Sequence, residues 1–343
     1  MHANRCLSQK HRIPHWLLLA VSVVCLNGLP ATAQNQAWIR QIGTGVADEA
    51  YAAAPDRSGG VFIGGYTSGS LGGPTAGSSD VWLAHFDNAG NQTWIRQFGT
   101  SSIDRAIRAA SDESGGVYLA GHTDGSLGGP SFGSRDAWLA HYDAPGNQTW
   151  IRQFGSSGSE QLQAATPDGA GGVYLGGYTQ GSLGGSNAGL SDCWLARFDA
   201  VGNLVWMEQF GTSQDEFVTA AAPGLSGAVF AGGVTEGSLG GPHAGLDDAW
   251  LAHFDAAGNQ TWIRQLGTID RDFATAAVQG DSGNVYLIGG TYGSLAGANA
   301  RSIDVWIADD NSSGSQTWIR QLGSGGMDQA YTAATDGTSG LFV

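Results

Sequence analysis

The chain has 343 residues, 30 of them acidic and 15 basic, and its net charge at neutral pH is −15. A surface this acidic repels phosphate backbones, which argues against a nucleic-acid partner. Three cysteines provide no disulfide framework, and a chain of this length buries a sufficient core without one.

The first 33 residues have the layout of a secretory signal peptide. Three basic residues precede an apolar run from Trp16 to Leu29, and the small-x-small triplet Ala31-Thr32-Ala33 follows it. The run is shorter than the ~20 residues that a membrane-spanning helix needs. We therefore expect cleavage, a secreted or extracytoplasmic protein (periplasm or cell surface), and no membrane span afterwards. A retained signal anchor is the alternative.

Removal of residues 1–33 leaves 12 arginines against 30 acidic residues, since the only lysine is Lys10. Such a surface attracts cations or basic partners. One cysteine, Cys193, remains, and the other repeats have valine or alanine at its position. We expect Cys193 to be a small buried apolar side chain.

A period of 56 residues runs through the rest of the chain. Two series of tryptophans keep this spacing, and each lies in recurring text such as TWIRQFGT or DAWLAHFD. The first series is Trp38, Trp94, Trp150, Trp206, Trp262 and Trp318, and the second is Trp82, Trp138, Trp194, Trp250 and Trp306.

The repeat at residues 104–155 contains four strand-like segments, which we name A to D. They are residues 104–112, 115–123, 136–143 and 148–154, separated by turn sequences rich in glycine, aspartate and asparagine. Four short antiparallel strands in tandem units predict one blade of a β-propeller per repeat. The alanine-rich strand A suits the crowded axis, and the tryptophans of strands C and D suit the space between blades.

The chain begins its repeats with a lone strand D at Gln36–Ile42 and ends inside strand B of the sixth repeat, at Val343. The prediction is therefore an all-β propeller domain over residues 34–343. It has five complete four-stranded blades and a partial sixth, closed by the N-terminal strand. We also expect the sequence to be a C-terminally truncated piece of a longer protein.

These residues resemble the bacterial SBBP (seven-bladed β-propeller) repeat family. The resemblance rests on Asp104-Arg-Ala106, on Gly115-Gly-Val-Tyr118 to Thr123, and on Asp136-Ala-Trp138 to Gly146, and it covers residues 36–343. The resemblance implies an extracytoplasmic bacterial propeller. Most proteins of that family have no assigned biochemical role. The family name suggests seven blades, which this chain does not reach.

One position in every repeat holds a carboxylate at the start of strand A. Six such groups could surround one mouth of the axis and bind a cation such as calcium, or each could fasten a neighbouring loop by accepting backbone N–H groups. The second arrangement is favoured for these residues and for the aspartates that begin strand C. The six candidate ligand residues are Asp48, Asp104, Glu160, Glu216, Asp272 and Asp328.

The long B–C loops repeat Gly-Ser-Leu-Gly-Gly, and we expect their leucines to anchor them. His85, His141 and His253 share one repeat position on separate blades, which argues against a common metal site. The sequons at Asn91, Asn147 and Asn259 are better explained as hairpin turns than as glycan sites.

No catalytic constellation or required cofactor is indicated. The sequence favours a non-enzymatic binding scaffold that presents one loop face to a protein or carbohydrate ligand. The alternatives are an extracellular enzyme, either a hydrolase or lyase or a quinoprotein-like dehydrogenase, and a calcium-binding adhesion module.

Overall fold

A computed structural model describes residues 37–335 and 340–343. The chain folds into five four-stranded antiparallel sheets, each in the order A-B-C-D, and one two-stranded sheet. A single 3₁₀ turn, Leu225–Gly227, lies in the A–B connection of the fourth repeat. No helix in the described part of the chain has the length and apolar character to cross a membrane. The predicted signal peptide, residues 1–33, lies outside the described residues.

The strands recur with the 56-residue period. Strand A is β1 Asp48–Pro55, β5 Asp104–Ser111, β9 Glu160–Pro167, β13 Glu216–Pro223 and β17 Asp272–Gln279. Strand B is β2 Val61–Thr67, β6 Val117–Thr123, β10 Val173–Thr179, β14 Val229–Thr235 and β18 Val285–Thr291. Strand C is β3 Asp80–Phe86, β7 Asp136–Tyr142, β11 Asp192–Phe198, β15 Asp248–Phe254 and β19 Asp304–Asp310. Strand D is β4 Gln92–Phe98, β8 Gln148–Phe154, β12 Leu204–Phe210, β16 Gln260–Leu266 and β20 Gln316–Leu322. The sixth repeat contributes β21 Ala334–Thr335 and β22 Leu341–Phe342.

The predicted strands of residues 104–155 are confirmed to within two residues at each end. Strands B and C are buried on both faces, although the sequence of strand C alternates. Strand D has exposed residues at its start and is the outer edge of each sheet.

The C–D turn is closed by internal hydrogen bonds: the backbone N–H of Asn147 donates to Asp143 Oδ1 at 2.7 Å. This is the turn role expected of the sequon asparagines.

The five sheets follow one another around a common axis. Each strand A packs against strand A of the next repeat, from β1 through β5, β9 and β13 to β17. A single axial cavity of about 680 Å³ is lined by residues from all six repeats. Sheets stacked in a line could not share one cavity in this way, so the architecture is propeller-like.

The tryptophans of strand C fill the space between neighbouring sheets. Trp138 is fully buried in a cluster that combines Phe62 and Leu83 of the first repeat with Val117 and Leu119 of the second. Its counterparts in the other repeats are at most 2% exposed. Cys193, also fully buried, lies in an equivalent cluster. Burial of an indole removes about 150–250 Å² from water, which contributes several kcal/mol before entropic costs.

The tryptophans of strand D join each blade to the next at the outer rim. Trp94 Nε1 donates to the carbonyl oxygen of Ala144, 50 residues later, at 3.0 Å. Its indole lies against Gly146 in the next C–D turn. The same bond recurs from Trp150 and Trp206. Both tryptophan series therefore act between blades, as the sequence predicts.

The predicted closure of the ring by an N-terminal strand is not observed. Residues 37–47 form no strand, although Trp38 Nε1 donates to Asn88 as the other outer tryptophans do in their repeats. The reason lies in the sheet order, because strand D bonds only to strand C. The sixth repeat has no strand C within residues 328–335 and 340–343, so the N-terminal segment has no hydrogen-bonding partner there.

Two glycine substitutions isolate the contact between outer tryptophans and the next blade. Gly146 (φ +84°) and Gly169 (φ +73°) both have left-handed backbones, so alanine costs each about 1–2 kcal/mol. A Cβ at Gly146 would also stand 2.6 Å from Trp94 Cδ2, whereas one at Gly169 would meet no atom within 4 Å. We expect Gly146→Ala to lower the free energy of unfolding by about 1–3 kcal/mol more than Gly169→Ala. Urea denaturation measures both, and equal losses would contradict the proposed role of the indole contact.

Candidate ligand-binding site

The candidate carboxylates at the start of strand A lie at the junctions between blades. The backbone N–H of Asp104 donates to the carbonyl oxygen of Ser79 in the preceding repeat at 2.9 Å. Asp104 Oδ2 accepts the backbone N–H of Thr100 at 2.5 Å and its hydroxyl at 2.9 Å, while Thr123 donates to Oδ1. The carboxylate therefore ties the D–A loop to the end of strand B.

Asp48, Glu160 and Glu216 make both contacts, whereas Asp272 and Asp328 accept hydrogen bonds from the D–A loop residues Thr268 and Ser324. Glu160, for example, accepts bonds from Ser156 and Thr179. Asp104, Glu160, Glu216 and Asp272 are fully buried, and none of the six is among the residues that line the axial cavity. In the described ranges no three His, Cys, Asp or Glu side chains are grouped so as to hold a metal ion. Cation binding by these six residues stays a prediction.

A glutamine of strand D forms hydrogen bonds to the B–C loop of the same repeat. Gln97 Oε1 accepts the backbone N–H groups of Leu71 and Gly72 at 2.7 and 3.0 Å. Its Nε2 donates to Gly69 O at 2.8 Å and to Asp80 Oδ2 at 2.9 Å. Leu71 packs against the core, as expected of an anchor. The glutamine recurs in the W-x-x-Q text of all five complete repeats, and this was the sequence signal for it.

In the first two repeats the shared histidine position holds the A–B turn on the opposite face. His85 Nε2 lies 2.9 Å from Asp56 Oδ2, and its Nδ1 lies 2.6 Å from Thr93 Oγ1. The Thr93 hydroxyl also donates to the carbonyl oxygen of His85, so it is not arranged as a nucleophile activated by the imidazole. Burial raises the pKa of Asp56, but hydrogen bonds from Ser58 and His85 outweigh it and hold that pKa well below its usual range.

A β-bulge in every complete strand A turns one side chain toward the axis. In β5 the pairing with β6 shifts between Ala106 and Arg108, so that Ile107 has no partner. The bulge brings the carbonyl oxygen of Arg105 within 1.9 Å of where a Cβ on Gly121 would stand. Only glycine tolerates this approach. The equivalent bulge residues are Tyr51, Gln163, Thr219 and Thr275.

The bulge residues line the axial cavity, and they differ between repeats although each repeat has the same bulge. Aromatic, aliphatic, amide and hydroxyl side chains occupy this one position. Residues of the B–C and D–A loops, including Asp247, Arg271 and Tyr292, complete the wall, so the cavity opens on that face. Sequence reasoning missed this site, although variation at one position between near-identical repeats was visible. The lining consists of Tyr51, Ile107, Arg108, Gln163, Thr219, Val234, Asp247, Arg271, Phe273, Ala274, Thr275, Tyr292, Ile303, Gln329 and Tyr331.

Comparison with known proteins gives limited likenesses. No family model matches the chain, so the resemblance to SBBP repeats stays a prediction. The regulatory protein FlaEY of Caulobacter vibrioides is 28% identical over an alignment of 163 residues, and the match covers 43% of this chain and 17% of that protein. The chain thus spans less than a fifth of this relative's length.

Two solved structures are similar at low identity. A Bacteroides caccae protein of unknown function has a TM-score of 0.41 and 10% identity, over 70% of this chain and 68% of that one. YCF48 bound to D1 peptide has a TM-score of 0.39 and 11% identity, over 86% and 74%. Both scores lie below 0.5, so the architecture rests on the sheets and the axial cavity described above.

The glutamine under each B–C loop has a matched control on the same strand. Gln97→Met removes four hydrogen bonds from partly buried groups, and we expect a loss of about 2–4 kcal/mol in the free energy of unfolding. Gln92→Met changes an exposed residue of β4 and should alter stability by less than about 0.5 kcal/mol. Urea denaturation, with limited proteolysis of residues 68–79, measures the effect. Equal stability of the two variants would show that the glutamine does not hold the loop.

His122 predicts a pH dependence of stability. It is buried on β6 with Nδ1 unbonded among the described residues, and burial, Arg135 and Arg105 lower its pKa to about 4. The unfolded value is about 6.5, so the unfolded chain takes up the proton first. The contribution of His122 to the free energy of unfolding is therefore fully present above pH ~6.5 and decreases toward pH ~4. At pH 5 about 2 kcal/mol of it is lost.

The substitution His122→Tyr should remove this component, since Tyr66 and Tyr178 occupy the same repeat position. Urea denaturation at pH 7.5 and pH 5 compares the two chains. An unchanged difference between the two pH values in the variant would exclude His122 as its source.

Proposed function

We propose that this chain is an extracytoplasmic interaction module, secreted or at the cell surface, that takes its ligand into the axial cavity from the B–C loop face. One observation carries the proposal: side chains of four chemical kinds occupy the bulge position of the five complete repeats and meet in one concave site. A binding surface needs different side chains at different places, whereas a purely structural position in a repeat protein does not. The signal-peptide layout of residues 1–33 supports the location.

The hydrogen bonds of the surrounding scaffold support the proposal that the cavity, and not the loops themselves, binds the ligand. Junction carboxylates such as Asp104 and loop-fastening glutamines such as Gln97 recur in every complete repeat, and their hydrogen bonds lie within the protein. They hold the loops and the bulges in place. Among the bulge residues, Thr219 also donates to the carbonyl oxygen of Ala274 in the next repeat, whereas Tyr51, Ile107 and Gln163 vary in chemistry at the same position. The ligand is a protein segment or a carbohydrate.

The proposal predicts that filling the cavity abolishes binding. Gln163→Trp places an indole among the lining residues, and Gln92→Trp places one on the exposed start of β4 as a control. We expect a ligand from a printed glycan and secreted-protein panel to bind the unaltered chain and Gln92→Trp, and to be lost in Gln163→Trp by at least tenfold. Binding that survives Gln163→Trp would place the site elsewhere, and binding of no ligand at all would contradict an interaction module.

A further inference from the structure

The second repeat departs from the small-residue pattern of strand A at one position on the axis. The first, third and fourth repeats have the buried alanines Ala52, Ala164 and Ala220 there, but the second has Arg108, which lines the axial cavity. Strands converge toward the axis, so a long charged side chain costs packing and hydration at this place. A local rule broken in one repeat is typical of a functional residue.

Arg108 has no acidic partner within residues 37–335 and 340–343. Its Nη1 donates to the carbonyl oxygen of Ile107 at 2.9 Å. Burial lowers the pKa of the guanidinium, and no neighbouring carboxylate opposes this shift. Among the described lining residues the one acid is Asp247, and Arg271 Nε already lies 3.2 Å from its Oδ2. The lining side chains therefore include two arginines and one aspartate in a chain whose net charge is −15, and Glu49, outside the lining, accepts the hydroxyl of Tyr51.

The rest of the wall combines aromatic faces with uncharged polar groups. Tyr51 and Tyr292 are 46% and 45% exposed, and Phe273 lies on the same wall. Gln163 and Thr275 supply amide and hydroxyl groups. Aromatic rings offer flat apolar surface to the C–H faces of sugar rings, and a guanidinium binds a carboxylate through two parallel N–H bonds.

We propose that the axial cavity binds an acidic oligosaccharide, with a sugar carboxylate on Arg108 and the sugar rings against Tyr51 and Tyr292. The inference rests on the proposed function and names the ligand class of the same site. Charge selects this class, because the surrounding protein repels anions and the cavity attracts them. Arg108 is the residue that distinguishes an acidic sugar from its neutral counterpart.

The test compares tetragalacturonate with its methyl ester, which has the same size without the charge, by isothermal titration of the full chain. We expect tetragalacturonate to bind and the ester to bind at least tenfold more weakly. Arg108→Ala should weaken tetragalacturonate binding at least tenfold with an equal or higher melting temperature, because alanine is the residue at this position in four other repeats. Arg152→Ala, an exposed arginine on β8, should bind as the unaltered chain does.

Three results would overturn the inference. They are failure to bind any of tetragalacturonate, a hyaluronan tetrasaccharide and sialyllactose; equal affinity for acid and ester; and binding of a glutamate-rich peptide in place of the saccharides. The ester comparison uses the unaltered chain, so it tests the preference for a charged sugar even if Arg108→Ala fails to fold. A neutral glycan or protein ligand lost in Gln163→Trp would reject this inference and leave the proposed function standing.

Discussion

The packing of an indole between neighbouring sheets is the interaction on which the rest of the structure depends. Trp138 and its counterparts lie in clusters that draw side chains from two successive repeats, so no blade completes its core alone. This makes cohesion a property of neighbours, as in other repeat proteins. The indoles of strand D repeat the arrangement at the rim, where each one lies over the turn of the following blade.

The axial cavity follows from that arrangement. Indoles and aromatic rings hold the outer parts of the blades apart, and alanines such as Ala52 allow the inner strands to approach one another. Glycines such as Gly121 then admit a bulge, and the bulge directs one side chain per repeat to the axis. Each step depends on a residue type that the sequence repeats, and the same backbone path recurs with different side chains at its centre.

Much of this could be predicted from the sequence. The strand boundaries, the buried indoles of strand C and the anchoring role of Leu71 all follow from a strong local pattern. The strand predicted over residues 37–42 fails for a different reason, since a strand is defined by its partner and the described residues of the sixth repeat include no strand C. The role of Ile107 and its equivalents was also hidden, because a shift in register between two strands is not a property of either strand alone. The junction carboxylates were found, but which groups donate to them depended on the loop path.

The bulge glycine has a consequence for how such a protein changes over generations. Because Gly121 and its counterparts admit the bulge, the residue opposite them can be aromatic, aliphatic, amide or hydroxyl in repeats that share one backbone. A single nucleotide change at any of these positions alters the chemistry of the interior while the scaffold stays as it was. Duplicated units that began alike acquire in this way an asymmetric interior, and new specificity arises without a new fold.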